Sequence, residues 1–359
     1  MTAAIAPMSS TAEAGELPLV SVIVPCRNEV RFIGGCLDSI LAADYPADRL
    51  EVIVVDGMST DGTRDLLAQR AAVHPNLYIV DNPRGITPAA LNIAVRAARG
   101  DLVMRADAHA AYPRDYVAGL VRALARSDAD IVGGVLETVP AREMPVARAI
   151  AAAMSSPFGV GNSRFRIGTA APRYVDHIAF FCCRRELFAR VGSFDEELVR
   201  SQDGEFSFRV IKSGGKILLD PSVSARYFAR ESVRAVGRMF YQYGFFKTLT
   251  ARKIGRVMTV RQLVPALFML VLVQLAALSM VWRGAAVLLA ALLGAYALVL
   301  LAAAASVARR HGPAPAGALA VVLPVMHFSY GWGYLRGVAE HVVGLRLRRA
   351  VAAEVPLSR

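Results

Sequence analysis

Apolar and polar positions follow two different rhythms along this chain. Up to about residue 230, short apolar runs alternate with mixed segments; after residue 262, apolar residues dominate almost without interruption. In the first part, the runs at 19–24, 50–55, 77–80, 102–105 and 131–135 have the length of buried strands. Helical segments fall between them. One extends to about Ala42 with Cys36, Leu37, Ile40 and Leu41 on one face. A second covers 64–73, opened by the polar Ser59-Thr60-Asp61-Gly62-Thr63 stretch. A third starts at Thr87-Pro88 as N-cap and first helical residue and stops at Gly100, and a fourth covers 114–126. This βαβα alternation with short connections predicts an α/β domain, Rossmann-like, with a mostly parallel sheet and helices on both faces.

Beyond Pro140 the rhythm is less regular. Residues 155–173, with Pro157, Gly159, Gly161, Gly168 and Pro172, read as a mobile loop. A strand at 178–183, a helix at 185–191, a helix at 201–213 ended by Gly214-Gly215, and a strand at 216–219 follow. Residues 232–250 read as an amphipathic helix rich in Arg and aromatics.

The second rhythm belongs to a membrane. Residues 263–282 and 285–307 are each long enough to span a bilayer. Arg252, Lys253, Arg256 and Arg261 precede the first, only Arg283 lies between them, and Arg309 and Arg310 follow the second. The positive-inside rule therefore places both outer flanks in the cytoplasm. Residues 317–334 are apolar but carry Pro324, His327, Ser329 and Trp332. A third full span would put Arg346, Arg348 and Arg349 outside, which favours a re-entrant or interfacial segment.

The expected organisation is a disordered tail (1–17), a catalytic-type α/β domain (18–230), an interfacial amphipathic region (231–260), a membrane domain (261–345) with two spans and a third re-entrant or spanning segment, and a basic tail (346–359).

Composition agrees. The 359 residues are 55% hydrophobic with a net charge of +12. A basic chain with long apolar segments suits an anionic membrane surface more simply than a nucleic acid, so membrane lipids are expected partners. The four cysteines, Cys26, Cys36, Cys182 and Cys183, form neither a disulfide framework nor a zinc signature, which fits a reducing compartment. Residues 1–16 lack the positive and apolar regions of a cleavable signal peptide.

Candidate chemistry gathers at strand ends. In open α/β sheets, ligands bind beyond the carboxyl ends of the strands. Pro25, Asn28 and Glu29 follow the first strand and Asp56 ends the second; such carboxylates can accept from a pyrimidine N3–H or ribose hydroxyls, or simply cap turns. Asp107 and His109 follow the fourth strand, where a carboxylate and an imidazole can hold Mn²⁺ or Mg²⁺ against a diphosphate. Asp203 and Glu205 open a helix, where the macrodipole favours them and where Asp203 could act as a general base, with Glu205 as fallback. Arg230, Arg238 and Tyr241 can clamp a diphosphate or acceptor, or belong to a basic helix lying on a membrane.

Taken together, S-V-I-V-P-C-R-N-E, V-V-D-G-M-S-T-D-G-T, R-A-D-A-H and V-G-S-F-D-E followed by S-Q-D-G-E-F resemble family 2 glycosyltransferases of the GT-A fold. D-A-H in place of D-x-D, the R-x-S and Y-Q-Y-G-F-F-K stretches and the apolar C-terminal third are similar to the succinoglycan-biosynthesis glucosyltransferase branch. The resemblance spans roughly residues 18–345. It implies inverting transfer of a hexose, glucose from UDP-glucose, to a lipid-linked saccharide in exopolysaccharide or cell-surface glycan synthesis, at the cytoplasmic face of the inner membrane. It implies uridine near Pro25, Glu29 and Asp56, metal and diphosphate at Asp107 and His109, and the base at Asp203. Gly57 stands where many members have a second Asp.

The alternatives are a polyprenyl-phosphate glycosyltransferase, whose acceptor is the lipid phosphate itself, and a catalytically silent membrane scaffold. Asp107, His109 and Asp203 occurring together argue against the scaffold. No Gly-rich phosphate loop follows the first strand, against a nucleotidyltransferase, and no Q-x-x-R-W stretch supports a processive synthase.

Overall fold

The computed structural model describes residues 17–257 and 259–345. The expected disordered start of the chain to residue 16 and the basic tail from 346 lie outside the described residues. In chain order the elements are β1 (Val20–Cys26), α1 (Ile33–Leu41), β2 (Leu50–Asp56), α2 (Thr63–Ala71), β3 (Leu77–Asp81), α3 (Thr87–Ala97), β4 (Leu102–Arg105), β5 (Ala110–Ala111), α4 (Tyr116–Ala125), β6 (Ile131–Val139), α5 (Pro145–Met154), α6 (Pro157–Val160), α7 (Arg164–Ile167), β7 (Arg173–Tyr174), β8 (Cys182–Arg184), α8 (Glu186–Val191), α9 (Gln202–Lys212), β9 (Ile217–Phe228), α10 (Val233–Ile254), α11 (Val264–Leu278), α12 (Arg283–His311) and α13 (Pro313–His341).

One nine-stranded sheet has the order β3-β2-β1-β4-β8-β6-β9-β5, with β7 on β9. Its first half is parallel: β1 pairs with β2 and β4, and β2 with β3. β1 and β2 are buried along nearly their full length, as strands covered on both faces must be, which is why they read as unbroken apolar runs. The second half is mixed, since β8 runs antiparallel to both β4 and β6. A parallel strand would need the chain to cross back to the edge where β4 starts, and β8 instead runs back from the edge where β4 ends. The sheet is therefore less uniformly parallel than the sequence alternation predicts. The segment expected as a loop at 155–173 contains the two short helices α6 and α7, with Phe165 buried. β9 runs on past its expected end at 219 to Phe228, through a register shift opposite Gly134 and Val135.

Among the described residues, three helical stretches are long and apolar enough to cross a membrane: Val260–Leu278, Arg283–His311 and Pro313–His341. The first two expose nearly all of their apolar surface, whereas the third is much more buried. α13 is one continuous helix despite Pro324, not a helix that turns back. It lies along α10 in the same direction. Thr248 Oγ1 meets His341 Nδ1 at 2.7 Å, and the Arg252 guanidinium donates to His341 O at 3.0 Å. Towards the other end, His327 Nε2 donates to Phe158 O of α6 at 2.7 Å. α10 itself is tied to the α/β domain, because Lys253 Nζ pairs with Asp195 at 2.6 Å and Glu197 at 2.5 Å.

Glycines make the α10–α13 approach possible. A Cβ on Gly244 would collide with the backbone of Tyr330 and Tyr334, one on Gly333 with the backbone of Tyr241, and one on Gly337 with Thr248 and Phe245 O. Close helix contact of this kind is what small residues supply where hydrophobic driving force is weak. Gly333→Leu should therefore lower the thermal unfolding midpoint of the detergent-solubilised protein, by the equivalent of about 1–3 kcal/mol expected for overpacking. Gly294→Leu, in open space on α12, should leave the midpoint in place. Equal shifts would refute the packing argument.

Candidate active site

The site forms where the parallel strands end. Register sets Cys26 beside Asp56, Asp56 beside Asp81, and Ile23 beside Arg105, so three loops emerge on one edge. Side chains of the S-T-D-G-T stretch then bind the loop after β1. Asn28 N donates to Ser59 Oγ (2.8 Å), Glu29 N to Thr63 Oγ1 (2.9 Å), and Thr60 N to Asn28 Oδ1 (2.8 Å). Asp56 is fully buried and accepts from Ser59 N (3.0 Å), Ser59 Oγ (2.5 Å) and the Arg64 guanidinium (2.8 Å), which also reaches Asp81. Asn28 (φ 52°) and Met58 (φ 60°) adopt left-handed backbone, a strain that local bonding must hold in place. Arg27 lies across this rim: a Cβ on Gly57 would sit 3.1 Å from the Arg27 stem, and its guanidinium donates to Gly85 O at 3.0 Å. A side chain at position 57 would have to displace the Arg27 stem.

The D-x-H turn is fixed from several directions. Asp107 N donates to the Tyr112 hydroxyl (2.8 Å), and Arg105 Nε donates to Asp107 Oδ1 (3.2 Å). His109 Nδ1 meets Glu29 Oε1 at 3.0 Å, its ring packs edge-on to Tyr227 at 5.2 Å, and its carbonyl accepts from Phe228 N at 3.1 Å. Glu29 thus contacts the histidine expected to bind metal. A carboxylate on one ring nitrogen sets the tautomer and presents the other nitrogen to a cation, the usual surrounding of a metal-binding histidine. Among the described residues no group of three or more His, Cys, Asp or Glu side chains could enclose an ion. A cation at Asp107 and His109 would have to take its remaining ligands from elsewhere.

Asp203 begins α9, just after Ser201, whose φ of 65° turns the chain into the helix. Gly204 N donates to its Oδ1 at 2.9 Å, and His177 Nε2 stands 3.6 Å from its Oδ2. Burial pushes the Asp203 carboxyl up, but His177, Arg105, Lys247 and the Gly204 N–H outweigh it and hold the group below its ordinary value. The carboxylate is accordingly ionised at neutral pH. Because its folded value is depressed, this ionisation favours the fold at neutral pH, and the benefit is lost as pH falls through that value. His177 is pushed down chiefly by burial, with Lys247 and Arg105 adding to it against Asp203 and Asp176, so the ring is neutral at pH 7. Burial also lowers Lys247, against the pull of Asp203.

The other expected residues are dispersed. Both Glu205 oxygens are held by Arg209, at 2.6 and 2.9 Å, and Arg209 continues to Ser193 O, so Glu205 fastens α9 to the loop after α8. Arg238 is exposed on α10. Tyr241 accepts from the Arg336 guanidinium (3.1 Å) and stacks on Phe245, facing α13. Arg230 is buried near the cleft. Sequence reasoning missed Arg105, which bonds Asp107 and lies within electrostatic range of Asp203, and also His177 and Lys247. Arg105 and Lys247 lie inside the R-A-D-A-H and Y-Q-Y-G-F-F-K stretches, which could have drawn attention to them, whereas His177 shows only as polarity before the apolar run at Ile178.

A parallel β3-β2-β1-β4 half followed by antiparallel β8, with acidic loops at its edge, is the GT-A glycosyltransferase fold. The family model Glycosyl transferase family 2 matches residues 21–192. Succinoglycan biosynthesis protein ExoA of Rhizobium meliloti is 31% identical over 246 residues, covering 68% of this chain and 73% of that one. A dolichyl N-acetyl-alpha-D-glucosaminyl phosphate 3-beta-D-2,3-diacetamido-2,3-dideoxy-beta-D-glucuronosyltransferase of Methanococcus voltae is 26% identical over 244 residues, 65% of this chain and 74% of that one. Among solved structures, mannosyltransferase PcManGT from Pyrobaculum calidifontis, in complex with GDP-Man and Mn²⁺, superposes with a TM-score of 0.56 and 26% identity over 89% of this chain and 88% of that chain. The chain belongs to glycosyltransferase family 2 and is a glycosyltransferase.

Proposed function

We propose that the protein transfers a hexose with inversion, glucose from UDP-glucose, to a hydroxyl of a lipid-linked saccharide in exopolysaccharide or cell-surface glycan synthesis. The observation that carries this reading is the placement of Asp203 at the start of α9, with His177 3.6 Å from its Oδ2 and in the field of Arg105, which bonds Asp107 of the D-x-H turn. Pro25, Asn28, Glu29 and Asp56 would border the nucleoside, and Asp107 and His109 would hold Mn²⁺ or Mg²⁺. Such a cation, when bound, neutralises charge on the departing nucleoside diphosphate. Arg105 keeps Asp107 and Asp203 in fixed relation, through its bond to the first and its charge near the second. Asp203 takes the proton of the acceptor hydroxyl as its oxygen bonds to the anomeric carbon. The bond to the diphosphate breaks on the opposite face and its electron pair leaves with UDP. One displacement inverts the centre, so no covalent intermediate is needed.

The named role of ExoA in succinoglycan biosynthesis and the dolichyl-linked substrate in the name of the Methanococcus enzyme support the acceptor class. The Pyrobaculum enzyme holds GDP-Man and Mn²⁺, which makes guanosine the competing base. A panel of UDP- and GDP-sugars should release nucleoside diphosphate fastest with UDP-glucose. EDTA should abolish release and Mn²⁺ or Mg²⁺ restore it. A preference for GDP-mannose would overturn the donor, and full activity in EDTA would overturn the metal.

Asp203→Asn keeps the shape and removes the basicity. Turnover should fall by about 10²–10⁴ while UDP-sugar binding barely changes. An ionised lipid phosphate needs no base, so an unimpaired Asp203→Asn protein would favour the polyprenyl-phosphate reading instead.

We place the α/β domain in the cytoplasm, on the inner membrane. α13 touches α6 near its middle, meets α12 through Tyr296 and His327, and lies along α10, which is bound to the α/β domain. This supports an interfacial α13 lying along the domain, with α11 and α12 as the two crossings. Reporters fused at Gly284, after Arg310 and after Leu345 should read periplasmic, cytoplasmic and cytoplasmic. A periplasmic signal after Leu345 would make α13 a third span.

A further inference from the structure

Beside the D-x-H turn lies a second concentration of positive charge. Tyr227 has the His109 ring on one side at 5.2 Å and the Arg166 guanidinium over its face at 4.8 Å. Tyr243, from α10, reaches the same place, within electrostatic range of Tyr227, Arg166, Arg200 and Arg230. Arg200 Nε donates to Gln242 Oε1 at 3.0 Å, and an Arg166 guanidinium nitrogen donates to Thr138 Oγ1 at 3.4 Å. Arg230 is 9% exposed, and its Nη1 is buried without a hydrogen-bond partner.

Among the described residues, none of these three arginines forms a salt bridge. Of the nearby carboxylates, Asp107 is bonded to Arg105 and only within electrostatic range of Arg200, and Glu231 is paired with Arg31 and Arg142. Guanidiniums gathered without a bonded carboxylate repel one another, and Arg230 is buried with a nitrogen left unpaired, so the arrangement calls for an anion. Planar forks with several donors match phosphate oxygens, and the Tyr243 hydroxyl adds another donor. Asp203 leans on a different set, Arg105, His177 and Lys247.

We propose that Arg166, Arg200, Arg230 and the Tyr243 hydroxyl form a second anion site in the cleft, which holds a phosphate of the acceptor apart from the donor diphosphate at Asp107 and His109. The proposal rests on the transfer to a lipid-linked saccharide above. Clamping the phosphate fixes the distance from the lipid attachment to the hydroxyl that Asp203 deprotonates, so the site would measure the acceptor as well as bind it.

Calorimetry on the detergent-solubilised full chain separates the two sites. Inorganic pyrophosphate in EDTA probes the arginines; UDP with Mn²⁺ probes the D-x-H turn. The Arg200→Gln/Arg230→Gln protein should bind pyrophosphate about 10- to 100-fold more weakly, the loss expected for charged hydrogen bonds. It should keep its Mn²⁺-dependent UDP binding, which also shows that it is folded. Asp107→Asn should do the reverse, and Arg200→Lys/Arg230→Lys should recover part of the pyrophosphate affinity. Unchanged pyrophosphate binding in the double Gln variant would overturn the site. Parallel loss of UDP binding, with the Lys variant restoring both, would assign the arginines to the donor diphosphate and overturn the acceptor role. If the wild-type protein binds pyrophosphate but not UDP, the donor reading fails while the arginine site stands.

Discussion

Parallel pairing of β1 with both β2 and β4 is the constraint from which the site follows. Parallel strands must each return through a crossover, so their carboxyl ends open on the same edge. Register then leaves little freedom: Cys26 lies beside Asp56, and β4 ends level with the last turns of chain before the β1 loop. The loops that leave this edge are short, and they brace one another through Asn28, Ser59, Thr60 and Thr63. Left-handed backbone at Asn28 and Met58 persists because that bracing over-determines it. Glu29 can reach His109, 80 residues further on, only because both loops leave the same edge.

Charge is distributed across the cleft in an ordered way. Arg105 stands between two carboxylates, bonded to Asp107 and close enough to Asp203 to help keep it ionised. A buried carboxylate without such neighbours would protonate and lose its basicity. On the far side of Tyr227 the balance reverses, and arginines gather with no carboxylate bonded to them among the described residues. An interior that satisfies one charge and leaves another open is asymmetric in a way that structural ion pairs are not.

The membrane region is joined to this cleft by a helix pair. α10 starts three residues after Arg230 and carries Tyr243 and Lys247 into the site on one face, while Gly244 and Tyr241 meet α13 on another. Any tilt of α13 against α10 is therefore a displacement of groups that surround Asp203 and the arginines. α10 thus contacts both α13, through close backbone approach at glycines, and the groups around Asp203.

Local chemistry alone determined a good part of this protein. The alternating apolar runs marked the strands and most helices of the α/β half; Asp107, His109 and Asp203 stood out because strand ends and helix starts concentrate functional side chains; and unbroken apolar length marked α11 and α12. These are features of neighbours in sequence, and periodicity and composition register them. Tertiary structure decided the rest. Whether β8 runs parallel or antiparallel depends on which strands it meets, not on its own residues. Glu205 and Asp203 are indistinguishable as helix-start acids until Arg209 is seen to take both oxygens of one and His177 to face the other. Tyr241 and Tyr243 differ only by the turn of a helix that sends one to α13 and the other to the arginines. Burial, and the company of charges it brings together from distant parts of the chain, sets which of these groups are ionised and which are already spoken for, and no local pattern carries that information.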